Sequence, residues 1–248
     1  MKITDVKVFR TATPVHKTAG TNWLFVRIDT DAGISGWGEG SLQYKDAALE
    51  AEILDFGKYL EGKDPFRIDW IWTSLYRRVT WSGGAVSMSA ISAIDLALWD
   101  IKAKAYEMPV WELAGGKHRD QVKVYANGWF EGLTEPIPGV PAETVARQAS
   151  SELHAKAALA LKNDGWKALK FYPFGGPQVT TPEQINDGVE LVQSVREAVG
   201  HDMDIGIDIR ARLDVWSAGR VAKKLEPFDI AWMEEPILYD NVEAMAEF

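Results

Sequence analysis

Apolar and polar residues alternate near the start of the chain. "DVKVFRT" and "NWLFVRIDT" hold a period of two, the pattern of half-buried strands. "DAGISGWGEG" reads as a glycine-punctuated turn leading into a short third strand. The period then lengthens. In "KDAALEAEILDFGKYLEG" the apolar residues Leu49, Ile53, Phe56 and Leu60 recur at helical spacing. "PFRIDWIWTSLYRR" predicts a second helix with Pro65 near its start. "SMSAISAIDLALWDIKAKAYEM" predicts a third, apolar nearly all round, in which Ala90, Ala93 and Ala97 are small enough to admit a close neighbour. Strands and helices in separate runs indicate an α+β domain over residues 1–120.

Beyond residue 120 strands and helices alternate. "QVKVYANG", "WKALKFYP", "DMDIGIDIR" and "IAWMEEP" are predicted strands. Between them lie the helical patterns "ETVARQASSELHAKAALALKNDG", "TPEQINDGVELVQSVREAVG" and "SAGRVAKKLEPF", and "NVEAMAEF" begins another. The second has Thr or Pro at its start and Gly200 at its stop. Four consecutive β/α units imply a parallel sheet with right-handed crossovers. A doubly wound sheet and a (β/α)8 barrel both fit. "VYANGWFEGLTEP" lacks the G-x-G-x-x-G of a dinucleotide sheet. Strands two to four instead finish in ionisable residues, the pattern of a barrel active site, which favours the barrel. A whole barrel needs about 250 residues. Residues 121–248 hold about half of that, so the chain is expected to carry the first four β/α units of a TIM-type barrel, a truncated one.

Strand parity sorts the candidates. Ile205, Ile207 and Ile209 must pack on helices, which turns Asp208 and Arg210 to the interior. Leu169 and Phe171 likewise leave Lys170 and Tyr172 inside, and Met233 leaves Glu234 inside, with Glu235 at the rim. Two carboxylates on adjacent strands repel unless protonated or bridged by a cation. Hard oxygen donors without Cys or His suit Mg2+. A lysine beside such a cation would have a lowered pKa, which suits proton abstraction. Tyr172 is the second candidate for that role. His16, His118, His154 and His201 show no partner pattern, and His154 and His201 are expected to be solvated. Most of the eleven tryptophans are expected in the core.

Composition narrows the classes further. A net charge of -9 without a Lys/Arg cluster excludes a nucleic-acid footprint. With no cysteine, disulfides and thiolate chemistry are excluded. "MKITDVKVFR" lacks the apolar core of a signal peptide, and no uninterrupted apolar run approaches ~20 residues, so a cytoplasmic protein without membrane contact is expected.

These residues also match a known pattern. From "MKITDVKVF" to its end, and most specifically in "MSAISAIDLALWDIKAKAYEMPVWELAGGKHRDQVKVYANG", "IDIRARLD" and "WMEEP", the chain resembles the mandelate racemase/muconate lactonizing enzyme group of the enolase superfamily. "WSGGAVSMSAISAIDLALWDIK" is similar to its sugar-acid dehydratase branch. The resemblance implies that residues 1–120 are a capping domain that sets specificity, through loops near 14–22 and 41–45. It implies proton removal next to a carboxylate, with the enediolate stabilised by Mg2+, in this branch leading to loss of water and a 2-keto-3-deoxy acid. By position it makes Asp208 and Glu234 metal ligands, with a third expected beyond residue 248. Lys170 matches the first lysine of a Lys-x-Lys motif, and Tyr172 stands where the second, commonly the base, is usual. Arg210 and Asn127 are expected to bind substrate, a small carboxylate. The full-length form is expected to be a homo-oligomer. Racemisation, epimerisation or cycloisomerisation on the same scaffold is the alternative, as is an inactive binding or assembly module.

Overall fold

The computed structural model describes residues 1–12, 22–78, 80–130, 133, 150–174 and 181–248. Most of the loop expected near 14–22, with His16, lies outside them, as do the start of the helix expected from Glu143 and the glycines after Pro173. The chain divides into two compact units, Met1–Asp120 and Gln121–Phe248.

In the first unit β1 (Ile3–Ala12), β2 (Asn22–Thr30) and β3 (Ser35–Glu39) form an antiparallel meander. Period-two alternation collects Val6, Leu24, Val26 and Ile28 on one buried face. Three helices join that core: α1 (Asp46–Leu60), α2 (Ile68–Arg77) and α3 (Gly84–Ala105). Leu49, Ile53, Phe56 and Leu60 are the buried stripe of α1, the residues its spacing singles out. On β3, Gly36 and Gly38 stand opposite Ile28 and Val26. A Cβ on either would collide with a backbone carbonyl of α3, at Ala97 or Ala93. The glycines of "SGWGEG" and the alanines of α3 therefore let strand and helix backbones approach. By length and composition alone α3 is long and apolar enough to cross a membrane, although Asp95 and Asp100 interrupt its apolar run. Its Ala90, Ala93, Ile94, Ala97 and Ile101 are buried, as in a core helix. A four-residue helix, α4 (Val110–Leu113), follows.

The opposite face of this sheet is polar and aromatic. The Arg27 guanidinium lies 5.8 Å from the Phe9 ring centroid and 5.7 Å from that of Trp37. Asp29 accepts from Ser35 Oγ at 2.6 Å and Lys7 Nζ at 2.9 Å, and pairs with Arg27. Partial burial pulls its pKa up, but these donors win and hold it at about 2. A depressed carboxylate stabilises the fold above its unfolded pKa, and that contribution is lost as pH falls through the folded value. Asp29→Asn is expected to cost on the order of 1 kcal/mol at neutral pH, discounted for solvent near the cluster. Urea midpoints of variant and parent should converge between about pH 4 and about pH 2.

In the second unit β4 (Ala168–Phe171), β5 (Asp204–Asp208) and β6 (Trp232–Glu234) form a parallel sheet in sequential order. The helices are α5 (Ser151–Asn163), α6 (Pro182–Val199), α7 (Val215–Leu225) with a 3-10 turn at Glu226–Phe228, and α8 (Val242–Glu247). Thr181 and Gln184 make a capping box at the start of α6, and Gly200 ends it at φ 71°. The order of β4 to β6 never reverses, as it must in a doubly wound sheet. The expected strand at 121–128 is reduced to one parallel bridge, Ala126 to Leu169. Val122 and Val124 are exposed, so no packing holds that segment extended. Among the described residues the sheet is open, not a closed barrel.

Two side-chain expectations are corrected. His154 is buried, not solvated, between α5 and the rings of Trp129 and Phe171. Burial lowers its pKa, and Nδ1 lies 3.2 Å from Ser150 O. The tryptophans are largely not core: Trp23, Trp37, Trp81 and Trp216 are exposed. Several instead lie under cations, as Trp70 under Arg67 and Trp216 under Arg220.

Arg196 ties the second unit together. It is buried on α6 and donates to four carbonyls: Phe228, Gly200, Met203 and Asp229, at 2.7–2.8 Å. The guanidinium fork thus joins the end of α6, the approach to β5 and the turn before β6. Arg196→Met should leave those carbonyls poorly satisfied and cost about 2–3 kcal/mol. An unchanged denaturation midpoint would contradict this clamp.

Candidate active site

The strands end in a row of charge. Register sets Lys170 beside Gly206 and Trp232, and Asp208 beside Glu234, one step nearer the carboxyl ends. These side chains share one face, because the partners Leu169, Phe171, Ile205 and Ile207 are buried in the helix-covered core. Lys170 Nζ donates to Asp208 Oδ2 at 3.1 Å and to Glu234 Oε1 at 2.8 Å. Three strands thus converge on a single ammonium.

Each remaining carboxylate oxygen also has a donor. The backbone N–H of Arg210 reaches Asp208 Oδ1 at 2.9 Å, and the indole N–H of Trp232 reaches Glu234 Oε2 at 3.2 Å. The first of these needs an abrupt turn. Arg210 and Ala211 sit at φ 55° and 54°, the left-handed region, straight after β5, and Glu235 sits at 43° after β6. Such backbone is costly for non-glycine residues and concentrates at functional sites. Ile209 N and Ala211 N bond Glu234 O and Glu235 O, which fixes the two turns to each other.

Charge and burial pull against each other here. Burial would lower the Lys170 pKa, but hydrogen bonds to Glu234 and Asp208 outweigh it and leave it raised. In this arrangement the ammonium itself neutralises the carboxylates. Burial, with the Glu234 charge, pushes Asp208 up against the pull of Lys170. Glu234 is less enclosed; burial acts upward there too, but the donors Lys170 and Trp232 bring it down.

The other expected residues are placed less uniformly. Tyr172 lies just past β4, half-buried, edge-on to Phe130 at 5.1 Å. Its ring centroid is 5.9 Å from Lys170 Nζ and 5.3 Å from the Arg210 guanidinium. Arg210 belongs to the turn rather than the strand, so parity does not direct it, yet it reaches the same neighbourhood. Asn127 is exposed one residue past the Ala126 bridge and makes no hydrogen bond to the cluster among the described residues. Glu235 is exposed. Tyr125 and Trp232 escaped the sequence reading. Their rings meet at 5.2 Å, and Tyr125 also lies 5.6 Å from Lys170 Nζ. The parity of "AWMEEP", which joins Trp232 to Glu234, was the available signal for the tryptophan.

The donors suit a hard divalent cation. Asp208 and Glu234 stand side by side on adjacent strands and offer oxygen alone. Among the described residues no third carboxylate or histidine joins them.

Residues 2–115 match the family described as mandelate racemase/muconate lactonizing enzyme, N-terminal domain, and residues 152–248 match enolase C-terminal domain-like. The chain belongs to the mandelate racemase/muconate lactonizing enzyme family of the enolase superfamily. It is 35% identical to a D-galactonate dehydratase of Xanthomonas oryzae and 36% identical to one of Variovorax paradoxus. Each match covers 98% of this chain and 57% of the relative, so the chain spans little more than half the length of these proteins. A solved enolase-superfamily member from Salmonella Typhimurium superposes with a TM-score of 0.86 at 30% identity, over 98% of this chain and 63% of that one.

Proposed function

We propose that this chain carries part of the site for a Mg2+-dependent abstraction of the proton next to a carboxylate, in the dehydration of a sugar acid to a 2-keto-3-deoxy acid. The observation that carries the reading is the convergence of Lys170, Asp208 and Glu234 at the ends of three neighbouring parallel strands. The D-galactonate dehydratase relatives support the substrate class.

Asp208 and Glu234 would hold the ion. When bound, Mg2+ supplies positive charge against which the enediolate oxygens can develop. Lys170, no longer the sole counter-charge of both carboxylates, would lose the ion pairs that raise its pKa and become a competent base. Tyr172 is the second candidate: its ring centroid is 5.9 Å from Lys170 Nζ and 5.3 Å from the Arg210 guanidinium. Arg210 stays protonated at neutral pH, so its part is to bind a carboxylate or hydroxyl. Asn127, one residue past the Ala126 bridge, would contact substrate. Residues 1–120 would supply specificity, including the described stretch 41–45.

The test is product formation with Mg2+ and a panel of sugar acids, D-galactonate first. A 2-keto-3-deoxy acid is expected. No such product from any acid would defeat the dehydratase reading, and solvent deuterium uptake without loss of water would replace it with racemisation or epimerisation.

A further inference from the structure

Gly206 lies in β5 between Lys170 on β4 and Trp232 on β6. A Cβ built on it would collide with the six-membered ring of the Trp232 indole, nearest its Cζ2. Its φ is not in the left-handed region, so the glycine answers a need for space. The indole fills that space, covering the middle strand one step below Asp208 and Glu234. Tyr125 closes against it from the far edge. A ring seated in this way has a fixed N–H direction, and that N–H meets Glu234 Oε2.

We propose that Trp232 is a positioning residue for Glu234, with Gly206 as its seat. Glu234 has two oxygens and needs only one to face Asp208. Held at Oε2 by Trp232, it turns Oε1 toward Lys170 and the neighbouring carboxylate. Without the indole donor a side chain as long as glutamate has free rotamers and spends less time turned to its partners. The inference rests on the reading above in one respect, that the carboxylate pair receives a divalent cation.

The experiment uses the whole chain labelled with 15N at tryptophan. The indole signal absent from Trp232→Phe identifies Trp232, and it should move in Glu234→Gln. Mn2+ affinity, read by electron paramagnetic resonance, should fall about 10–100-fold in Trp232→Phe, as for other groups that orient a ligand. Phenylalanine keeps an aromatic ring over Gly206, so the circular dichroism of that variant should match the parent. An indole signal indifferent to Glu234→Gln, or parental Mn2+ affinity in Trp232→Phe, overturns the proposal. Failure of the parent itself to bind Mn2+ would defeat the metal reading instead, and the indole signal then decides whether Trp232 positions Glu234. Should Trp232→Phe not fold, the parent is read by its signals that move in Glu234→Gln; if none moves, the proposal falls.

Discussion

Gly38→Ala is expected to abolish stable folding of the first unit. The added Cβ would overlap the backbone carbonyl of Ala93, at the centre of the contact between β3 and α3. A clash with a flexible side chain relaxes cheaply, but this one is backbone against backbone. Relief requires β3 and α3 to separate, which opens the core containing Val26, Ile28, Ile94 and Ala97. Overpacking a core with side chains costs about 1–3 kcal/mol. Here the cost should exceed about 4 kcal/mol, a large part of the 5–15 kcal/mol that holds an ordinary domain together. Gly36→Ala should behave alike, because its Cβ meets Ala97 O and the Ile101 side chain. Gly33→Ala is the control. Gly33 has φ 74° and open space around it, so it reports conformational strain alone, about 1 kcal/mol. A Gly38→Ala variant no less stable than Gly33→Ala in urea would refute the close approach.

The same contact shows what pattern reading can reach. Alanines at 90, 93 and 97 announce that something comes close to α3, but not what. The answer lies in β3, whose glycines resemble a loop when read locally. The parallel strands were more transparent, because β5 alternates isoleucine with Gly206 and Asp208. One face there is unambiguously buried, and the other must hold the carboxylate. For β6, with only Trp232–Glu234 in regular strand, both faces are apolar upstream, and register with β5 decides the matter. Three features were illegible for a common reason, that they depend on partners distant in sequence. Nothing local in "SVREAV" shows that Arg196 will serve four carbonyls across the unit. His154 is polar in an alanine-rich helix, and only Trp129 and Phe171 make its site an enclosed one. The valines of "QVKVYANG" have the strand period but lack a packed layer to bury them.

Lys170→Met should destabilise the second unit and make its stability depend on divalent cations. The parent ammonium is buried and serves two carboxylates, of which Asp208 is only 5% exposed. Methionine fills similar volume but leaves both acids without their counter-charge. Removing one partner of a buried ion pair costs about 3–5 kcal/mol, because the charge left behind has lost its water and gained nothing. In EDTA at neutral pH the variant should therefore unfold at much lower urea than the parent. The deficit should narrow in acid. Asp208 already lies above the usual carboxylate range, and loss of Lys170 removes the influence that restrains it. A group whose folded pKa is raised favours the fold below its unfolded pKa and loses that contribution as pH rises through the folded value. Mg2+ should then restore part of the loss, since a ligand that binds the folded state alone stabilises it by mass action. The parent should gain less, because its own ammonium competes for the same oxygens. Equal stability of parent and variant in EDTA would show that the three charges are not coupled. Equal Mg2+ stabilisation of both would show that the ion does not take the place of Lys170 between Asp208 and Glu234.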